Sequence, residues 1–416
     1  MANTEVSVTV IGGGVVGRAC AWQIAQSGTS VRIIDAGEPR FGTSMANAGL
    51  IAPSHVIPFA APGMVSMGIK EFFKNSGAFG VSPRAGAAFA SWSLAFIKAC
   101  TQEHVDHCAP ALTQLLNRSV GLFDDLTDNH GLSRAPRPLY YIFSSDKAEH
   151  HLHQEMEMFA RYGVPTSQVD LDKAHVELPI LKDTVKAVLE LSTDFGLDPR
   201  RVVTLLGELN HAAGVEYRDN ENVTALKHHK DHVEITTNHG SWSSDYVVLA
   251  AGAWSKTLAR MLGDNLNMIA AKGHSVTLPN LTELPTHPMI LAEQRITANP
   301  AANGYRISTG YTLTSPDDRS IEPAAINKLL ATAGEILHLP ERAAEIQPWT
   351  GVRPSSPDGL PHIGPLKNAP RVIAATGHGM IGTMQSLGTG ALVADIISGR
   401  PISTEMLKFS PSRPSA

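Results

Sequence analysis

Cysteine is scarce: three in 416 residues, Cys20, Cys100 and Cys108, too few and too irregularly spaced for a disulfide framework or a zinc site. That usage fits a reducing compartment. Basic excess is missing as well, because 34 Lys and Arg stand against 39 Asp and Glu for a formal net charge of −5, leaving no stripe for nucleic acid. The opening MANTEVSV has no basic region leading into an apolar one, so no secretory signal is read and a cytoplasmic location is expected. The strongest candidate for membrane contact, residues 85–100 (AGAAFASWSLAFIKAC), is shorter than the roughly 20 residues a span needs. It reads as a packed helix or, alternatively, as a patch on the membrane surface. Internal repeats and low-complexity segments are absent. With 43% hydrophobic and 18% charged residues the composition is that of a globular enzyme, long enough for two domains.

What is present begins at once. Val6, Val8, Val10 and Ile11 read as a buried parallel strand that runs into Gly12-Gly13-Gly14-Val15-Val16-Gly17, and a helical pattern follows. The glycines serve different ends. Gly12 makes the tight turn, Gly14 lets backbone N–H groups approach a pyrophosphate, and Gly17 lets helix and strand pack closely. Phosphates then sit at the helix N-terminus. Ala21 faces the sheet, Gly28 ends the helix, and Val31, Ile33 and Ile34 form a second strand ending in Asp35, 23 residues past Gly12. A carboxylate there, followed by Ala36, accepts hydrogen bonds from ribose hydroxyls and disfavours a 2′-phosphate. This unit alone fits either FAD or NAD.

Between Gly42 and Lys70 the chain carries no Asp, Glu, Lys or Arg and sustains no helical or strand period, which favours a loop lying against something over a disordered linker. Ser44, Asn47, Ala48 and Gly49 are small or expose backbone, as close approach of a planar ring and a ribityl chain requires. The run Ser44-Met45-Ala46-Asn47-Ala48-Gly49 after the dinucleotide unit resembles the FAD-dependent D-amino-acid dehydrogenases, within the superfamily of D-amino-acid oxidase, glycine oxidase and sarcosine oxidase. The resemblance implies that Ser44 to Leu50 pass along the flavin.

Residues 64–135 read as mostly helical, 139–143 and 185–191 as strands, and 150–162 as an amphipathic helix. His150, His151 and His153 on that helix lack the i, i+4 spacing of a ligand pair, so a solvated face is expected and no metal. Asp198-Pro199 starts a helix that ends at Gly214, and a β-meander over 223–242 leads into a strand at 246–249 closed by Ala250-Ala251-Gly252-Ala253-Trp254. This resembles the second nucleotide-contacting strand of two-dinucleotide-type FAD proteins. By that resemblance Ala251, Gly252 and Trp254 meet the cofactor and the backbone of Val223 its adenine end, which tips the choice to FAD. Residues 270–278, 289–292 and 305–312 read as a second sheet and 326–337 as a helix.

Near the C-terminus, Gly351-Val352-Arg353-Pro354 places one arginine among backbone-fixing residues with little competing charge. A guanidinium so held offers a planar fork to a carboxylate. In the superfamily resembled, the arginine of Gly-x-Arg-Pro clamps the substrate carboxylate; the alternatives are an arginine snorkelling from a loop or pairing with Asp358. A strand at 372–375 meets Thr376-Gly377-His378-Gly379-Met380-Ile381-Gly382-Thr383, which opens a helix. The resemblance aims its N-terminus at the flavin pyrimidine ring, with Gly379 to Thr383 in contact and His378 either a flavin contact or a structural histidine. Met380 and Thr383 depart from the Trp or Thr common in relatives and leave the substrate open. Arg306 stands on the strand that carries a lysine in sarcosine-oxidase-like relatives; a structural arginine and a second carboxylate contact are both open.

These readings predict an α/β protein: a Rossmann-like FAD-binding domain of residues 1–54, 195–265 and 345–416, and an inserted antiparallel-sheet substrate domain of 55–194 and 266–344. The implied activity is FAD-dependent oxidation of the amine carbon of an amino acid (a D-amino acid, a D-proline-like compound or an N-alkyl glycine) to its imine by hydride transfer to flavin N5. The alternatives are an oxygen-using amine oxidase and a flavin-binding subunit without turnover of its own. Expected partners are the small amino acid or amine and an acceptor (quinone, electron-transfer protein or oxygen), with no nucleic acid and with peripheral contact on the cytoplasmic face of a membrane.

Overall fold

The computed structural model describes residues 7–37, 42–74, 77–279, 285–302, 304–339 and 346–414; Val6 and the expected boundary at 344/345 lie outside them. Strand Ser7–Ile11 feeds helix Val15–Ala25 and then strand Ser30–Ile34. These strands lie in a six-stranded sheet in the order His362–Pro365, Val372–Thr376, Tyr246–Leu249, Ser7–Ile11, Ser30–Ile34, Glu216–Arg218. Every neighbouring pair is parallel except the one made by the edge strand His362–Pro365. Burial on both faces explains why the central strands read as unbroken apolar runs. Segments from the start, middle and end of the chain thus meet in one sheet.

Small residues set how closely the helices lie on this sheet. A Cβ at Gly17 would stand 1.8 Å from the Gly12 carbonyl oxygen. On the C-terminal helix Gly382–Ile397, a Cβ at Gly390 would meet the Ala19 carbonyl at 2.5 Å, and one at Gly388 the Leu115 carbonyl at 2.6 Å. Leu115 belongs to the 29-residue helix Gln102–His130, capped by the Thr101 hydroxyl and closed by Gly131 in the left-handed region. Its Cys108, Leu112 and Leu115 share a core with Val8 and Val10 of the first strand. The stretch Gly379–Ile397 is long and apolar enough to cross a membrane, yet it is mostly buried at the centre of the protein.

The second sheet has nine strands and forms a roof. Its order is Gln347–Ser355, Ile269–Leu278, Gly304–Thr314, Ile296–Ala301, Met289–Leu291, Leu139–Phe143, Ala187–Leu191, Thr166–Val169, with Phe79–Val81 also pairing to Gly304–Thr314. It is mixed: Met289–Leu291 runs parallel to Leu139–Phe143, and Phe79–Val81 parallel to Gly304–Thr314. Both exceptions arise because strands donated by the 77–143 excursion join from outside the hairpins. Residues 351–355, to which no strand is assigned from sequence, belong to the nine-residue edge strand Gln347–Ser355. Apart from one bridge between Ser355 and His378, its outer edge has no ladder partner among the described residues, so Pro348 and Pro354 are tolerated there. The meander is found as expected, Val223–His228, Val233–Thr237 and Ser241–Ser244. Strand Thr166–Val169 and helix Leu171–Glu177 are additional to the sequence reading, and the helix expected at 326–337 starts earlier, at Pro323. Of the clustered histidines, His151 contacts Glu293 at 2.6 Å and His153 the Glu149 carbonyl at 2.6 Å.

A paired substitution tests the close-packing account. Gly17→Ala is expected to destabilise by about 3 kcal/mol or more, since only backbone can yield. Gly121→Ala, in the interior of the long helix with nothing within 4 Å of the new Cβ, is expected to stabilise by about 0.5–1 kcal/mol. Chemical denaturation of both variants checks the opposite signs.

Candidate active site

The glycine turn is built from backbone. Gly12 sits at φ +113°, and a Cβ there would stand 2.4 Å from the Ala250 carbonyl oxygen. Gly14 is the N-cap of the first helix without a side-chain cap, and the first turn carries no acidic residue. Ser44 from the following loop serves instead, its hydroxyl accepting from the Val15 N–H at 3.0 Å. Asp35 accepts from the Gly13 N–H at 2.6 Å and from the Gly37 N–H at 3.0 Å. One carboxylate thereby holds both turns, and its remaining lone pairs are available to ribose hydroxyls.

These residues line a cleft of about 570 Å³. Of the sequence-predicted residues, Gly12, Gly14, Val16, Asp35, Ala36, Ser44, Asn47, Val223, Ala251, Gly252, Trp254, Arg353, His378, Gly379, Met380, Gly382 and Thr383 all border it. Two helix N-termini, at Gly14 and Gly382, therefore open on one space. Six others do not line it. Gly17 supports the turn from behind. Gly49 is a glycine for a different reason than flavin approach: at φ +70° its Cβ would collide with the Leu197 carbonyl at 2.2 Å. Ala48 and Ile381 pack against the core, and Leu50 is buried within it. Arg306, left open between a structural arginine and a second carboxylate contact, lines a second cavity and not this one.

Residues unforeseen from sequence complete the cleft: Thr43, Asp219, Glu221, Met261, Asp317 and Arg319. Asp317 accepts from the Trp254 indole N–H at 2.9 Å. No local pattern flags them, because they reach the cleft from scattered positions: loops, the short turn Thr43–Met45 and the end of helix Ser255–Met261. The loop at 43–47 is tied to the roof by three bonds: Thr43 Oγ1 to the Val352 carbonyl at 2.7 Å, Ser275 Oγ to the Ala46 carbonyl at 3.0 Å, and Arg306 Nη1 to the Asn47 carbonyl at 3.4 Å.

Arg353 lies on the roof strand opposite Ala271. Its Nη1 donates to the Gly310 carbonyl at 2.6 Å, and its guanidinium covers Gly273, where a Cβ would stand 2.2 Å from Nη2. Among the described residues it forms no ion pair. Asp358, the alternative partner, is taken by Arg413 at 2.6 and 3.0 Å. Burial lowers the Arg353 pKa from its ordinary value, the penalty of a desolvated cation without a counter-charge. His378 is neutral, since burial pushes its pKa down to about 3, and its Nε2 is hydrogen-bonded to Thr389 Oγ1 at 3.0 Å. The ring is tied by that bond to helix Gly382–Ile397, and the residue borders the cleft. Glycines that a Cβ would fill and a helix N-terminus with no acidic residue in its first turn fit an FAD pyrophosphate, and Asp35 fits its ribose.

Comparison with known proteins agrees with this geometry. The family described as FAD dependent oxidoreductase matches residues 7–396. The chain is 28% identical over 410 residues to a D-amino acid dehydrogenase of Neisseria meningitidis, covering 95% of this chain and 96% of that one. It is also 28% identical to one of Paramagnetospirillum magneticum, covering 96% and 97%. Among solved structures, glycine oxidase of Geobacillus kaustophilus superposes with a TM-score of 0.75 at 20% identity, covering 98% of each chain. L-proline dehydrogenase of P. horikoshii gives 0.70 at 19%, covering 98% and 97%.

Asp35→Ala removes the acceptor for two turn N–H groups and for the ribose. It is expected to weaken FAD retention by about 10- to 100-fold, the cost of one or two charge-assisted hydrogen bonds. Fluorescence of flavin released on dilution measures it.

Proposed function

This chain belongs to the family of FAD-dependent oxidoreductases, and from that premise we propose that it oxidises the amine carbon of a small amino acid, a D-amino acid or a cyclic or N-alkylated relative, to the imine. The single observation that carries the reading is Arg353: a desolvated guanidinium with no ion pair among the described residues, bordering the same cleft as the dinucleotide turn. Its free donors match a carboxylate in bidentate fashion. FAD, when bound, supplies the two-electron acceptor. The chain's own residues bind and orient. Gly273 and Gly310 hold the guanidinium flat against the roof, so the substrate's acid end is fixed and its α-carbon takes one position over the cleft. Tyr311, Phe59, Phe79, Phe96 and Trp92 pack as one aromatic cluster beside Arg353 and keep water from that side. No described residue of the cleft is assigned as a general base; positioning carries the catalysis. Water then hydrolyses an open-chain imine to the oxo acid, and a cyclic imine persists.

The names of the D-amino acid dehydrogenase relatives support D-configured substrates and an acceptor other than oxygen. The exposed side chains of Ile69 and Phe72 on helix Met64–Lys74, and of Leu94 and Ile97 on helix Ala88–Ala99, support contact of these helices with a membrane surface. Vesicle flotation that is lost on Phe72→Ser with Leu94→Ser tests that contact, and flotation unchanged in the double variant removes it.

Anaerobic mixing of the holoenzyme with D- and L-amino acids, prolines and N-methyl glycines is expected to bleach the flavin absorbance with a subset of D- or N-substituted compounds. Absence of bleaching with any of them would favour a subunit without turnover. Arg353→Met is expected to retain FAD yet to lose about 100-fold or more in kcat/KM, with Arg353→Lys recovering part of it. An unchanged kcat/KM would remove Arg353 from the site.

A further inference from the structure

Behind the 43–47 loop lies a second cavity of about 200 Å³, lined by Asp198, Arg200, Arg201, Thr204, Thr277 and Arg306 among others. Arg306 is 3% exposed, so its charge is held almost wholly out of solvent. Its Nε donates to Thr277 Oγ1 at 3.2 Å and its Nη1 to the Asn47 carbonyl at 3.4 Å, and Nη2 makes no hydrogen bond among the described residues. No carboxylate among the described residues pairs with it. Asp198 is the one acid on the cavity wall among the described residues, and both its oxygens accept hydrogen bonds, Oδ1 from the Arg200 N–H at 2.9 Å and Oδ2 from the Ala302 N–H at 3.1 Å. Arg201 is paired to Glu208 at 3.0 Å, whereas Arg200 makes no ion pair among the described residues. Burial lowers the Arg306 pKa; the field of Asp198 opposes that shift, and the nearby Arg200 charge adds to it. Two guanidiniums therefore share a small pocket without an ion-paired counter-charge. The N-terminus of the 14-residue helix Pro199–Ala212 adds its positive end at the same place. Burying a cation unpaired is costly, and an anion with several acceptor oxygens removes that cost by taking the free Nη2 of Arg306, the Arg200 head group and the Thr204 hydroxyl together.

We propose that this cavity is a binding site for a small oxyanion, a carboxylate or phosphate, seated between Arg306 and Arg200. It is distinct from the Arg353 site, with the 43–47 loop between them. Because Arg306 also holds the Asn47 carbonyl, an anion seated there steadies the loop that borders the FAD cleft.

Isothermal titration of the FAD-loaded enzyme with inorganic phosphate and, separately, with acetate tests the site and separates the two sources. Saturable binding of either is expected, with a Kd in the millimolar range or tighter. Arg200→Gln, a half-buried surface change, and Arg306→Lys are each expected to raise that Kd about tenfold, while Arg353→Met leaves the phosphate Kd within about twofold. Binding of phosphate alone assigns an inorganic oxyanion, and binding of acetate alone that persists in Arg353→Met and is weakened in Arg200→Gln assigns a carboxylate. The proposal is overturned if neither anion binds up to about 10 mM, tenfold above a millimolar Kd. It is equally overturned if Arg200→Gln binds as well as the parent, or if Arg353→Met abolishes binding that Arg200→Gln retains. The outcome is independent of turnover, so failure of the amine-oxidation reading does not decide it.

Discussion

Backbone packed on backbone is the constraint from which the rest of this structure follows. The first helix touches the first strand through Gly17 and Gly12, and the C-terminal helix touches the first helix through Gly390 and Ala19. A methyl group at any of these glycines would have to displace main chain, which cannot yield as a side chain can. The consequence of this close packing is positional: two helix N-termini are brought to the edge of one parallel sheet and open on one cleft. Aligned peptide dipoles and free N–H groups then do what a cluster of lysines would do elsewhere, and the net charge of the chain can stay negative.

Buried cations divide into those with partners and those without. Lys272 is almost fully buried, and its Nζ lies 2.9 Å from Asp318 and 2.6 Å from Glu322. Burial works to raise the Asp318 pKa, but bonds from Ser320, Lys272 and Thr314 prevail and hold its carboxyl well below the usual range. That knot pins the segment after strand Gly304–Thr314, which carries Asp317 and Arg319 to the cleft rim. Arg413 is likewise matched to Asp358 and fastens the C-terminal segment. Arg353 and Arg306 lack such a match among the described residues. An unmatched buried charge lowers stability, so its persistence is understood most simply through a ligand that neutralises it.

Legibility in the sequence followed the range of the interactions involved. The strand, glycine turn and helix at 7–25 were readable because every requirement there is local: an apolar run, a positive φ at Gly12 and a small residue at Gly17. Arg353 was readable as a guanidinium with little competing charge because the residues around it are short and uncharged, although its strand was not, since prolines at 348 and 354 interrupt the strand signal. Gly49 shows the opposite failure. Its glycine is demanded by Leu197, a residue far along the chain, and nothing nearby reveals that. Arg306 stayed open for a related reason, since side-chain direction on a strand tells which face it occupies but not which cavity lies beneath that face.

By itself the sequence determined the dinucleotide turn, the acid at the end of the second strand, the helix start at Asp198 and an arginine, Arg353, set among uncharged neighbours, because hydrophobic period, caps and glycine conformation act over a few residues. Only the tertiary structure decided that Asp317 and Arg319 reach the cleft, that Asp358 belongs to Arg413 and not Arg353, and that the two unmatched arginines look into separate cavities. Those outcomes depend on strand register across a nine-stranded roof and on loops brought together from distant positions, where one residue of slip would turn each side chain to the opposite face.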